Sequence, residues 1–214
     1  MQPLNRLKED LRFANELVGM IEILKTTSTR QFRILQSKRT QFEPFKARLE
    51  EFIEAFGSEN LSHPFLTEQR HLPKAIVMVT SEEGFLGGLN AGVVQAGLEQ
   101  AGVGDDLIVL GERGARHISE NTRSDFTVLP GLGDDVTYDR AVAVRDFLIE
   151  KFFSKRVGLV LIAYPRFFSI VSQMPEVPKI LPCREWFRPT ENVARKRPAR
   201  RHIMIEPSRE RAID

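Results

Sequence analysis

The residues best placed for chemistry lie in "VMVTSEEGFLGGLNAG", Val77 to Gly92, where an apolar run ends in Gly84, Gly87 and Gly88 and resumes with a helical pattern. In that layout, backbone N–H groups at a helix start can hold a phosphate. The details argue against it. The glycine spacing does not fit G-x-G-x-x-G, and no G-K-[ST] ending follows. Glu82 and Glu83 would also set two negative charges beside the phosphate, a repulsion on the order of 1 kcal/mol or more at short range. The glycines read instead as a tight turn with close packing of helix on strand. Ser81 follows a strand pattern but lacks the G-x-S-x-G elbow of an activated serine. His63, His71, His117 and His202 have no metal-ligand spacing, and the lone Cys183 adds no partner. "ARKRPARRH", Ala194 to His202, holds five basic residues. It reads as a solvated surface loop before it reads as a site for nucleic acid or anionic lipid. Trp186 and the phenylalanines read as core or interface. No catalytic residue, metal or cofactor is expected.

The elements that would carry these residues come in two styles. From Leu4 to Phe56 there is one glycine, Gly19, and one proline, Pro44, and apolar residues recur at helical spacing. Leu4, Leu7, Leu11, Ala14, Val18 and Ile21 alternate steps of three and four; after a change of phase Phe42, Phe45, Leu49, Phe52 and Phe56 do so again. That is a coiled-coil seam on one long helix, about 80 Å if continuous. Pro44 and the polar, β-branched "KTTSTRQ" are where it could kink or split. Gly57 to Pro73 is rich in breakers and reads as a linker. Beyond it, "KAIVMVT", "DLIVLG", "FTVLPG" and "GLVLIAY" are short, β-branched, continuously apolar runs, as expected of strands covered on both faces. Helical patterns lie between them, at Gly88 to Ala101, near Glu112 to Asn121, and at Tyr138 to Phe153 with Ala141, Val144, Leu148 and Phe152 on one side. Alternating strand and helix predicts an α/β domain with a Rossmann-like, doubly wound parallel sheet behind a long N-terminal coiled-coil helix. "PKILPC" and "RHIMIE" could add edge strands.

Bulk properties bound the function without naming it. A chain of 214 residues, 42% hydrophobic and 28% charged, with a formal net charge of +2, is long enough to bury a core and carries no global signal for nucleic acid or membrane. One cysteine excludes an internal disulfide and favours a reducing compartment. The longest apolar run, Val157 to Tyr164, falls far short of the roughly 20 residues that cross a bilayer, and "MQPLNRLKED" lacks the apolar core of a signal peptide.

Four stretches together resemble a known family. Thr80 to Asn90, "TSEEGFLGGLN", resembles the T-S-D-R-G-L-C-G-G-L-N signature of the gamma subunit of F-type ATP synthases, with Thr80, Ser81, Gly84, Gly87, Gly88, Leu89 and Asn90 matching. "LRFANELVGMIEILKTTSTRQFRILQ" can be laid ungapped on that family's first shaft helix, with Lys25, Arg33 and Gln36 on matching residues. "YPRFFSIVSQMPEVPKILP" is similar to its Y-N-K-F-V-S-x-x-S-Q-x-P segment at Tyr164, Phe167, Ser169, Ser172, Gln173 and Pro175. "IEPS", Ile205 to Ser208, resembles the E-P-[SD] step before its second shaft helix. The chain also departs from the pattern: Glu82 and Glu83 replace Asp and Arg, Leu86 replaces a frequent cysteine, and the helix has gained Glu16, Glu22 and Gly19.

The resemblance implies a central-stalk rotor subunit with no catalytic site of its own. It would be peripheral to the cytoplasmic side of the inner (plasma) membrane and would partner the alpha and beta subunits of the catalytic head, the epsilon subunit and the membrane c-ring. It divides the chain into a shaft helix over 1–56, a linker over 57–73, an α/β domain over 74–206, and the start, over 207–214, of a C-terminal helix that would wind around the first. Either that helix belongs to a longer product or another chain supplies it. Lys25, Arg33, Gln36, Lys38, Arg39, Glu206 and Pro207 are expected at subunit interfaces, and of these Arg33, Gln36, Lys38 and Arg39, with Glu206 and Pro207, are expected to form the foot on the ring. Glu82 to Asn90 are expected to shape the globular domain and its neighbouring contact. The rival expectation is a free-standing domain that binds a small ligand at its strand ends, with the long helix as a dimerising arm.

Overall fold

The computed structural model describes residues 4–56, 63–84, 86–121, 125–133, 137–169 and 171–184. The chain splits into two compact units, Met1–Ala55 and Phe56–Asp214. The first is a single α-helix, α1, Leu4–Phe56, which continues through Pro44. The polar stretch that threatened its continuity is held by its own hydroxyls: Thr26 Oγ1 donates to the Glu22 carbonyl at 2.8 Å and Thr29 Oγ1 to the Lys25 carbonyl at 2.7 Å. Thr40 repeats the arrangement with Gln36 at 3.0 Å. A hydroxyl spent on the carbonyl one turn back no longer competes for a backbone group outside the helix.

In the second unit the strands are β1, Lys74–Val79, β2, Asp106–Leu110, β3, Phe126–Leu129, β4, Leu159–Ser169, β5, Ser172–Glu176, and β6, Lys179–Leu181. The helices are α2, Leu89–Glu99, α3, Glu112–Asn121, and α4, Tyr138–Phe153. The sheet runs β3-β2-β1-β4-β5, with β6 also on β4. β1 to β4 are parallel, while β5 and β6 are antiparallel to β4. Residues alternate across the sheet with period two. Ile76, Met78, Leu107, Val109, Leu161 and Ala163 pack with Val93 and Val94 of α2 and Ile118 of α3 on one face. Ala75, Val77, Ile108, Leu110 and Val160 pack with Leu148 and Phe152 of α4 on the other. Helices on both faces of a mainly parallel sheet are the expected doubly wound architecture, and the three helical patterns end within two residues of the observed bounds.

The sheet departs from the sequence reading in one respect. The sheet is mixed, because "YPRFFSIVSQMPE" forms a hairpin in which Tyr164 pairs with Glu176 and Arg166 with Met174. The "PKILPC" strand is present as β6, whereas "RHIMIE" lies outside the described residues. The later part of the breaker-rich segment packs against the domain: Leu66 is buried, and the Phe65 ring stacks on Phe152 at 6.3 Å. His63 Nδ1 accepts the Phe65 amide at 3.2 Å and caps the single 3-10 turn Pro64–Leu66.

Candidate functional site at the strand ends

Ligands of doubly wound sheets bind beyond the carboxyl ends of the strands, where the strand order reverses. Here that end lies beyond Val79 and is built by Thr80, Ser81 and Glu82. The first turn of α3 leaves its leading N–H groups without partners inside the helix. The three residues after β1 satisfy them in reverse order. Glu82 Oε2 accepts the Glu112 amide at 3.0 Å. The Ser81 carbonyl accepts the Arg113 amide at 3.1 Å, and Thr80 Oγ1 accepts the Gly114 amide at 3.0 Å. Thr80 Oγ1 also donates to the Leu110 carbonyl at 2.7 Å. A row of free amides at a helix start is what a phosphate needs. In this row each amide already has a partner from the chain itself.

The glycines follow the same logic. Gly111, at φ +97°, lets the chain turn from β2 into α3 hard against the Thr80 carbonyl, a conformation that L side chains rarely adopt. A Cβ on Gly114 would collide with the Thr80 side chain, and one on Gly131 with the Glu82 carboxylate. The repulsion expected of Glu82 has a structural counterpart, because its carboxylate takes the first amide of α3. Glu82 does not merely stand beside the place where phosphate would lie; it fills it.

The remaining residues of the glycine loop serve the turn into α2. Ser81 donates its amide to Asn90 Oδ1 at 3.1 Å, and Asn90 Nδ2 donates back to Ser81 Oγ at 2.8 Å. The Ser81 hydroxyl proton is spent on the Glu83 carbonyl at 2.6 Å, so this side chain is a structural staple and no activated nucleophile. Gly87 takes φ +55°, Gly88 is the N-cap of α2, and Leu89 is its first residue. Gly84 lies beneath the Arg113 guanidinium. The structure thus brings Thr80, Ser81 and Asn90 together. At the point where the order reverses, between β1 and β4, β4 runs on into its hairpin and Pro175 of β5 lies against Gly92 of α2.

The charged pairs lie at the opposite, amino ends of the strands. Asp105 accepts the amides of Lys74 and Gly102, each at 2.8 Å, and pairs with the Lys74 ammonium at 3.2 Å. Burial pushes its carboxyl up, but the two amides and the ammonium outweigh that and hold it below the usual 3.8. Lys151 of α4 pairs with Asp106. At the sheet edge Tyr164 donates to Glu176 at 3.0 Å; burial first and this carboxylate second raise the phenol above its ordinary 10.0. Burial also pushes the Cys183 thiol up, which makes it a poor nucleophile at neutral pH. Among the described residues, no group of three His, Cys, Asp or Glu side chains could hold a metal ion.

Lys25, Arg33, Gln36, Lys38 and Arg39 are all exposed on α1. They do not form one patch. Lys25 and Gln36 are about three turns apart and share a face with Arg39, whereas Lys38, two residues from Gln36, points to the other side. Glu206, Pro207 and the basic stretch Ala194 to His202 lie outside the described residues.

A family model described as ATP synthase matches residues 4–214. The ATP synthase gamma chain of Pelotomaculum thermopropionicum is 24% identical over 187 residues, covering 85% of this chain and 66% of that one. The gamma chain of Actinobacillus pleuropneumoniae serotype 5b is 29% identical over 170 residues, covering 74% of this chain and 58% of that one. The chain therefore spans about three-fifths to two-thirds of the length of these relatives. Among solved structures it is similar to a chain of the Euglena gracilis mitochondrial ATP synthase rotor, at 13% identity and a TM-score of 0.49, covering 84% of this chain and 65% of that one. With the family model spanning both the long helix and the α/β unit, the chain belongs to the ATP synthase gamma-chain family.

Proposed function

We propose that this chain acts as the central-stalk rotor subunit of a rotary ATP synthase, coupling ion flow through a membrane ring to ATP synthesis or hydrolysis in a catalytic head. The observation that carries this reading is α1. It has 53 residues, about 80 Å at 1.5 Å per residue, several times the length of an ordinary globular helix. Its apolar side chains stand in solvent along its length, among them Leu11 at 63% and Ile23 at 68% exposure. Exposed apolar surface on that scale marks an interaction site.

In this reading the chain makes and breaks no bonds. Its work is mechanical. An asymmetric shaft turning inside the ring of alpha and beta subunits presents each catalytic site with a changing set of contacts, and so biases that site between states of different nucleotide affinity. Moving such a site from 1:99 to 99:1 requires about 5.5 kcal/mol of differential contact. The α/β unit would meet the epsilon subunit and the c-ring, peripheral to the cytoplasmic face of the inner (plasma) membrane. Arg33, Gln36, Lys38 and Arg39, with Glu206 and Pro207, would form the foot, Lys38 from the opposite face of the helix, and Lys25 would lie at a subunit interface. The domain division would follow: shaft helix to 56, linker from 57, α/β domain from 74 to 206, and a second helix beginning at 207.

The rival reading, a free-standing ligand-binding domain, has less support, because Thr80, Ser81 and Glu82 occupy the amides such a ligand would use. The experiment that decides is a native gel of gently solubilised source membranes, probed with an antibody to this chain and stained for ATP hydrolysis. Co-migration with a large hydrolysing assembly supports the rotor reading. Migration only as a small soluble species overturns it.

A further inference from the structure

We propose that Glu82 is an internal anion of the strand-end crevice, a positioning residue that latches the loop after β3 to the cap of α3. The inference is independent of the rotor reading.

Of the three groups that cap α3, only Glu82 carries a charge. Its Oε2 takes the Glu112 amide, at the first residue of the helix, where the positive end of the helix dipole is concentrated. Its Oε1 faces a different element. The three atoms nearest to where a Cβ on Gly131 would stand are Oε1, Cδ and Cγ of Glu82, all within 3.1 Å. Gly131 is buried, and φ in the left-handed region is not what calls for glycine there. The room taken up by Glu82 is. Arg140 of α4 holds the same loop through the Leu132 carbonyl at 2.9 Å.

A side chain at 131 would meet the far end of a flexible glutamate, so Glu82 would yield by swinging out. Swinging out releases the Glu112 amide. The size of residue 131 and the capping of residue 112 are thus coupled, although one lies in the loop after β3 and the other at the start of α3. The latch joins the loop after β1 and the loop after β3 to the start of α3.

The test is a double-mutant cycle read by amide hydrogen exchange at Glu112 in the full 214-residue chain. Glu82→Ala is expected to speed exchange at that amide roughly fivefold, the factor implied by a helix cap of ordinary strength. Gly131→Ala, with Glu82 present, is expected to do the same. The double variant is expected to match Glu82→Ala alone, because the collision has been removed. Glu82→Gln, which keeps an acceptor oxygen but loses the charge at the helix start, is expected to speed exchange by less than Glu82→Ala. An unchanged Glu112 amide in Glu82→Ala overturns the proposal, as does a Gly131→Ala effect of equal size in both backgrounds. Should Glu82→Ala not fold, Gly131→Ala decides alone: unchanged exchange at Glu112 overturns the latch.

Discussion

The Thr80 hydroxyl accepts the Gly114 amide at 3.0 Å while donating to the Leu110 carbonyl at 2.7 Å, so one side chain at the end of β1 joins the end of β2 to the first turn of α3. Both bonds use one oxygen; the Leu110 carbonyl also accepts the Thr80 amide at 2.9 Å, so the Gly114 amide is the partner that depends on the hydroxyl. Thr80→Val keeps the shape and removes the oxygen, leaving the Gly114 amide unpaired at a half-buried site. That is expected to cost about 1–3 kcal/mol in urea unfolding. Thr80→Ser keeps both bonds and is expected to cost less than half as much. Equal stability of Thr80→Val and Thr80→Ser would show that the hydroxyl is a bystander.

Gly114 has the complementary role. A Cβ there would come within 2.6 Å of Thr80 Cγ2 and 2.9 Å of Val109 Cγ1, two stiff β-branched neighbours. Gly114→Ala is therefore expected to destabilise by about 1–3 kcal/mol despite the better helix propensity of alanine, which alone would favour it by up to about 1 kcal/mol. Thermal unfolding of the variant checks the sign, and a rise in Tm would refute the close packing.

Asp105 gives the unit a pH dependence with a definite direction. Its folded carboxyl lies below the unfolded value, so the stabilisation it contributes is complete above about pH 4 and is lost as pH falls through the lower folded value. Asp105→Asn is expected to unfold more easily at pH 7. It is also expected to lose less stability than the parent between about pH 4 and pH 2, because the neutral side chain has no proton left to take up. Parallel acid-unfolding curves for the two proteins would contradict this.

How much of this was legible depended on the distance over which each signal acts. The bounds of α4 could be read because the helical repeat of Ala141, Val144, Leu148 and Phe152 is local. β1 and β2 could be read because every residue from Ala75 to Met78, and from Leu107 to Leu110, is buried. β5 could not be read: Pro175 and the exposed Ser172, Gln173 and Met174 carry no strand signal, and only pairing with β4 makes this edge segment a strand. The cap of α3 was hidden for a related reason. Thr80, Ser81 and Glu82 are about 30 residues from the amides they satisfy, and no spacing rule links them. Repulsion between Glu82 and a phosphate was legible; that the Glu112 amide draws the carboxylate into the crevice needed the fold.

Gly158 tests whether the segment before β1 belongs to the folded unit. Its amide donates to the Pro73 carbonyl at 2.9 Å, and a Cβ on it would collide with the backbone carbonyl of Gln69. Backbone cannot swing aside as a glutamate can. Gly158→Ala is expected to push residues 69–73 off the domain and expose them to limited proteolysis, with cleavage after Arg70 as the readout. Equal resistance of variant and parent would mean that this segment is held elsewhere.

The last turn of α4 contains a strain that can be relieved. Lys155 sits at φ 58°, in the left-handed region that costs a side-chain-bearing residue about 1–2 kcal/mol. The helix accepts this because the geometry closes it. The Lys155 amide donates to the Phe152 carbonyl at 3.1 Å and the Arg156 amide to the Lys151 carbonyl at 3.0 Å, the crossed pair of bonds that ends a helix through a left-handed residue. Val157 then enters the core. Glycine takes that conformation freely but loses more entropy on folding, so the two effects partly cancel. Lys155→Gly is expected to stabilise the α/β unit by about 0.5–1 kcal/mol, and Lys155→Val, with branching at Cβ, to destabilise it. A denaturant midpoint for Lys155→Gly above that of the parent, with Lys155→Val below both, would establish that the strain is real. A Lys155→Gly midpoint below the parent's would mean that the lysine stem contributes more by packing than its backbone costs.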